Sequence, residues 1–371
     1  MKREVKHCKQ CGREIYFDGI CVSCRTENER NEILALTPEE IDAVIRKICD
    51  EIETVGKLDK ERHLFTKLVN YRDIDTTEIA RTAFGKQLFY PSEIYKNAPN
   101  DVIQTMIEML RQNNVKTTLE ANHLLLCLAI HGGEDVFRSF MEFENNPPKW
   151  QEKMHVNPAV YATYGGWSYD SDGNALKTNF DTCYPMVKGT LEEKKHSPVK
   201  IGSGTKDKCL HCGGTLMNLM EIDGRDPRLA FLEIDGTIKA KCCPNCITMS
   251  EDHFCRYTVD GESEIVFDND PFTMEDYVED RGIEEIESNS YILGDAPVPP
   301  RYAADWEGGS SVGGFAFWIQ DCVIRHCPDC GKPMKYLAQI QWDTVLDGME
   351  GNVYFEICRE CKLIATLHQQ T

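Results

Sequence analysis

Two stretches of this chain, CLHCGGTLMNLMEI (Cys209–Ile222) and CPDCGKPMKYLAQI (Cys327–Ile340), decide how the rest is read. Laid over each other they coincide at Cys209/Cys327, Cys212/Cys330, Gly213/Gly331, Leu219/Leu337 and Ile222/Ile340. Each is completed by a second CxxC pair, Cys243 and Cys246 after 30 residues, and Cys358 and Cys361 after 27. The order knuckle, glycine, strand, turn, strand, knuckle lets a hairpin return the second pair of thiols beside the first. Four thiolates in two tight turns are the donor set of a tetrahedral zinc ion. Cys242 adjoins Cys243 and is a rival ligand, although the CPNC spacing favours Cys243.

A third set stands at the start of the chain: Cys8, Cys11, Cys21 and Cys24, spaced CxxC, nine residues, CxxC. So short a segment has almost no apolar core, and metal binding must supply much of its folding free energy, on the order of 10 kcal/mol in zinc-finger peptides. Three Zn2+ ions per chain are therefore expected. A catalytic zinc keeps an open position for water, whereas four cysteines close the shell. All three sites read as structural, and His211, His253 and His326, near the cysteines in sequence, read as bystanders.

The 18 cysteines do not suggest a disulfide scaffold, because most fall in CxxC pairs and no export signal precedes them. The longest strongly apolar run, Leu124 to Ile130, is far too short to cross a bilayer. A soluble, cytoplasmic protein without membrane partners is expected. The formal charge of −20 argues against a generic phosphate-binding surface.

Between the first and second cysteine sets the pattern is helical. In TPEEIDAVIRKICDEIETV, Thr37 is an N-cap, Pro38 opens the helix and Glu40 completes a capping box, with Ile41, Val44, Ile45, Ile48 and Ile52 on one face. KERHLFTKLVNYR, APNDVIQTMIEMLRQN and TLEANHLLLCLAI predict further helices, the last apolar enough to be central. Cys49 and Cys127 read as core thiols, and His123 and His131 as structural histidines. Pro147 and Pro148 end this region, and alternation such as Tyr336, Ala338, Ile340 and Val353, Phe355, Ile357 then predicts strands. GSGTKDK, from Gly202, lacks the spacing of a phosphate loop and reads as a flexible linker.

The expectation is an α+β chain: an N-terminal zinc ribbon (1–27), an all-helical segment (28–148) and a β-rich, internally duplicated domain (149–371). The repeat units fall at about 205–250 and 323–365 and carry the two further zinc ribbons. Within the last domain, residues 251–310 hold 17 Asp or Glu against three Arg, a net of −14. Such a run is ordinarily a solvated face. Its aromatic interruptions at Phe254, Tyr257, Phe267, Phe272 and Tyr277 also suit a packed acidic surface that attracts a basic partner.

DGRDPRLAFLEIDG from Asp223, GGFAFWIQD from Gly313, CPDCGKPMKYLAQIQWD from Cys327 and the terminal ATLHQQT together resemble the bacterial YwqG-like family. That family is similar in turn to the eukaryotic programmed-cell-death-two proteins. The resemblance extends upstream through NPPKWQEKMHVNPAVYATYGGW to about residue 95. It implies a duplicated β-rich domain that binds other proteins, either as a toxin-immunity protein or as a chaperone for a basic client. The chain departs from the family's commoner GGxPxWIQ, with Phe315, Ala316 and Phe317 before Trp318.

Read by itself, GGFAFWIQD is a buried strand after a glycine turn. Trp318, Gln320 and Asp321 are its candidate interaction residues or, in an alternative reading, border the cleft of an enzyme of unknown reaction. A further alternative is nucleic-acid binding by the N-terminal ribbon, where Lys2, Arg3, Lys6, Lys9 and Arg13 cluster; the lack of interleaved aromatics sets it last.

Overall fold

The computed structural model describes residues 5–12, 14–154, 157–248, 253–266, 280–305 and 308–371. A two-stranded hairpin, β1 (Lys6–His7) and β2 (Glu14–Ile15), precedes eight helices. These are α1 (Val22–Ala35), α2 (Pro38–Asp50), α3 (Ile52–Lys57), α4 (Asp59–Arg72), α5 (Thr77–Gly85), α6 (Asn100–Arg111), α7 (Thr118–His131) and α8 (Glu134–Asn145). There follow β3 (Trp167–Tyr169), β4 (Ala175–Lys177), β5 (Cys183–Lys188), α9 (Leu191–His196), β6 (Val199–Lys208), β7 (Thr215–Asp223) and β8 (Thr237–Cys242). The chain then forms β9 (His253–Tyr257), β10 (Ser263–Val266), α10 (Asp280–Ser288), β11 (Tyr291–Leu293), β12 (Ser311–Gly313), β13 (Lys335–Gln341), β14 (Asn352–Cys358) and β15 (Leu363–Gln369). Helix and sheet are thus both present.

The capping box at α2 forms as the sequence dictates: Thr37 Oγ1 accepts from Glu40 N at 3.2 Å, and Glu40 Oε2 accepts from Thr37 N at 2.8 Å. Two orphan donors are satisfied reciprocally. The central apolar helix is α7, whose Leu124, Leu125, Cys127 and Leu128 are fully buried. Cys49 is only partly buried. His131 lies between the Ala98 and Gly132 carbonyls, and His123 stacks on Tyr90 at 5.3 Å. Both histidines have structural surroundings.

The helical core does not stop at residue 148. Trp150, Tyr161, Trp167 and Tyr302 belong to it. Trp150 Nε1 donates to Leu110 O at 2.8 Å, and Trp167 Nε1 to Ala129 O at 2.9 Å. The Tyr302 ring packs on Tyr71 at 5.1 Å, and the Tyr71 hydroxyl donates to Asp305. Helix α1 also runs across residue 27, so the first metal cluster and the helices share one helix.

All the strand pairs are antiparallel. One eight-stranded sheet has the order β10-β9-β15-β14-β13-β12-β5-β11, and β6-β7-β8 form a three-stranded sheet. A single apolar core joins them, with Met217, Leu219 and Ile238 from the smaller sheet against Leu337, Ile340 and Phe355 from the larger. The register of β7 with β8 shifts between Asn218 and Met220, and that of β13 with β14 between Tyr336 and Ala338. Each shift falls on a leucine, Leu219 or Leu337, that is completely buried. A bulge turns the strand locally and here aims one extra side chain into the shared core.

Three local expectations fail. GSGTKDK is the second half of β6, not a linker: Ser203 pairs with Asn218 and Gly204 with Met217. Its glycines serve packing, since a Cβ on Gly202 would stand 2.7 Å from the Ile286 carbonyl of α10. Pro158–Gly165, inside the region 149–371 expected to be β-rich, is a 3-10 helix. GGFAFWIQD is no buried strand, because β12 ends at Gly313 and residues 314–322 are irregular. Of the acidic insert's aromatics, Tyr257 is buried, while Phe267, Phe272 and Tyr277 lie outside the described residues. Lys2, Arg3 and Arg13 do so as well.

Candidate metal centres and a separate cleft

Each first knuckle is built the same way. In CxxCG the glycine takes a positive φ, +76° at Gly12, +74° at Gly213 and +71° at Gly331, which a side chain would disfavour. Its N–H then donates back to the first cysteine's carbonyl: Gly12 to Cys8 at 3.0 Å, Gly213 to Cys209 at 2.9 Å, Gly331 to Cys327 at 2.8 Å. The turn this closes points both sulfurs to one side. The second knuckles are supplied differently, by the first turn of α1 (Cys21, Cys24), by the exit of β8 (Cys243, Cys246) and by the end of β14 (Cys358, Cys361).

The result is three groups of four sulfurs: Cys8, Cys11, Cys21, Cys24; Cys209, Cys212, Cys243, Cys246; and Cys327, Cys330, Cys358, Cys361. Within each group all Sγ atoms lie within 4.8 Å of one another. Pairs stand at 3.7 Å (Cys11–Cys21), 3.7 Å (Cys209–Cys246), 3.5 Å (Cys212–Cys243) and 3.8 Å (Cys330–Cys358). A disulfide would bring sulfurs to about 2.05 Å. A tetrahedral metal with thiolate bonds of about 2.3 Å separates its sulfurs by about 3.8 Å. These twelve residues could therefore hold three metal ions, and no histidine joins the groups among the described residues.

Within these groups local donors lower some thiols and burial raises others. The N–H groups of Cys21 and Cys11 hold the Cys8 thiol down to about 5, while burial pushes Cys24 well up. Cys243 is brought down to about 6, chiefly by a hydrogen bond from the Cys246 thiol, whose own value is driven up by the same contact and by burial. The Lys332 N–H lowers Cys330. Cys242 stays outside its group, on β8, completely buried and raised by desolvation. Cys183, Cys255 and Cys322 are also buried thiols apart from the three groups.

Residues 314–322 pack on β13, β14 and β15 toward the Asn352–Gln369 end of the β14–β15 ladder, opposite the Cys358–Leu363 end that carries the third group. Buried Gln339 anchors them: its Oε1 accepts from Phe317 N at 3.0 Å, and its Nε2 donates to Gly309 O at 2.6 Å and Ala303 O at 3.1 Å. From β15, Gln369 accepts from Gln320 N at 3.0 Å and donates to Asp321 O at 2.9 Å. The Phe317 carbonyl accepts from Tyr354 Oη at 2.6 Å and Asn352 Nδ2 at 3.2 Å.

That anchoring settles which side chains face outward. Trp318 stacks on Tyr354 with ring centroids 4.5 Å apart, and Gln320 Nε2 donates to Gln370 O at 2.8 Å. Asp321 is exposed. None of these three lines the cavity next to them, a cleft of about 250 Å³. Its walls are Phe317, Ile319 and Met349, with Gln341, Asn352, Asp343 and Glu350 among the polar lining. The sequence reading chose the conspicuous tryptophan; the cleft residues alternate with it and could have been found only from that alternation.

No protein-family model matches the chain. It is similar to an uncharacterised protein, YpfL of Salmonella typhimurium, at 27% identity over 285 residues, 75% of this chain and 64% of YpfL. The match thus spans just under two thirds of that relative's length. No solved structure matches.

Proposed function

We propose that this chain is a non-enzymatic protein-interaction module, held in shape by three structural zinc ions, whose partner is a basic protein. Zinc fits because four sulfurs at tetrahedral spacing form a closed shell in each group, leaving no position to activate water. The internal duplication, the kinship with the YwqG-like family and a role as toxin-immunity protein or chaperone belong to this reading. The observation that carries it is the cleft against residues 317–319. Phe317, Ile319 and Met349 suit the apolar stem of a lysine or arginine, and Asp343 and Glu350 suit its charged head. The −14 balance of residues 251–310 would draw such a partner in.

Affinity purification of the tagged full-length chain from native cells tests this. A stoichiometric partner of net positive charge is expected, and its recovery should fall at least tenfold with Glu350→Lys. Absence of any stoichiometric protein, or a partner indifferent to the charge reversal, overturns the proposal.

A further inference from the structure

The N-terminal metal module differs from the rest of the molecule in both charge and surface. Residues 1–25 contain six Lys or Arg against three Asp or Glu, a net of +3, so the remaining chain carries −23. In the same module large apolar side chains stand in solvent: Val5 is 47% exposed, Tyr16 59%, Phe17 47% and Val22 62%. Among the described residues the module's own buried cluster is Cys8, Ile15, Cys21 and Cys24. The sequence reading that found no aromatics interleaved with these basic residues is corrected by Tyr16 and Phe17, which directly follow β2, and the register that pairs Lys6 with Ile15 carries Val5 toward Tyr16.

Two adjacent exposed rings beside exposed lysines are the elements of a stacking platform. Every nucleobase offers a π-face to an aromatic ring, and Lys side chains neutralise the phosphates between bases. An apolar protein partner would use the rings but has no need of the positive charge. A polyanion without bases would use the charge and leave the rings idle. We infer that the N-terminal module binds single-stranded nucleic acid, with Tyr16 and Phe17 stacking on bases and Lys6 and Lys9 contacting phosphates. One feature restrains it: Lys9 Nζ is paired with Asp18 Oδ1 at 2.9 Å, both side chains being largely exposed. Asp18 competes with phosphate for Lys9.

The test uses the full-length zinc-loaded chain and a fluorescein-labelled oligothymidylate of about 20 nucleotides, longer than one stacking site. Fluorescence anisotropy would be followed between about 50 and 200 mM salt. Binding that weakens with salt is expected. It should drop by roughly tenfold or more in the Tyr16→Ala, Phe17→Ala double variant, and tighten in Asp18→Asn, which frees Lys9. Because these side chains are exposed, zinc content and the thermal midpoint should match the parent and show that the variants are folded. No binding at about 50 mM salt, wild-type affinity in the double variant, or equal competition by polyglutamate would each overturn the inference. None of these outcomes depends on the cleft beside Phe317.

Discussion

At the scale of single residues, Cys242 and Cys243 divide two roles that adjacent thiols could have shared. Cys243 has its sulfur 3.5 Å from Cys212, inside a group of four, whereas Cys242 is 1% exposed among apolar neighbours of the sheet core. Alternation along β8 causes the split, since Ile238, Ala240 and Cys242 share the buried face. Cys243→Ser should therefore lower bound zinc from about three ions per chain to about two. Cys242→Ser should keep all three and lose about 1–3 kcal/mol of stability, because it buries a hydroxyl without a prepared partner. Metal analysis beside urea unfolding of the two variants distinguishes these outcomes. Equal metal loss in both would show that the ligand assignment is wrong.

At the scale of elements, Gln339 ties the irregular segment 314–322 to β13. Its amide serves three backbone groups, at Phe317, Gly309 and Ala303, that have no strand partner of their own. Gln339→Leu keeps the side chain's bulk and strips all three, at a cost of about 3 kcal/mol or more if each buried group loses about 1–3 kcal/mol. Hydrogen exchange should then rise in residues 315–321 while the amides of β14 stay protected. Unchanged exchange there would show that the segment is held by its rings alone. This segment also marks where sequence reading ran out. The capping box of α2, the buried α7 and the knuckle-to-knuckle hairpins were legible because each depends on residues close in sequence or on repeated spacing. FAFWI was read as a strand from its apolar composition, yet its conformation is set by Gln339 and Gln369, far along the chain. The linker reading of GSGTKDK failed for a similar reason: glycines suggest flexibility until the packing of α10 supplies their purpose.

At the scale of the whole molecule, the buried titratable groups set an alkaline limit. Burial raises Tyr257, Cys183 and Cys322 each to about 12. In the unfolded chain thiols ionise near pH 8.5 and phenols near pH 10. The neutral forms favour the fold, so their contribution is whole below those values and is lost as pH climbs toward about 12. Urea midpoints measured with zinc buffered should fall steadily above about pH 9. The metal groups impose a second order on unfolding. The first group sits in a cluster of four residues, while the hairpins of the other two feed one core that contains Leu219, Leu337 and Phe355. A metal ion held by the first group would thus be nearly the whole core of the N-terminal module, whereas in the other two groups it would be only a pin on hairpins already packed. Titration with a chelator should release one zinc first, with changes in hydrogen exchange confined to residues 5–25. The remaining two should leave at higher chelator concentration, together with loss of protection in β7, β8, β13 and β14. Simultaneous release of all three, or early exposure of β14, would mean that the module and the sheet core unfold as one unit.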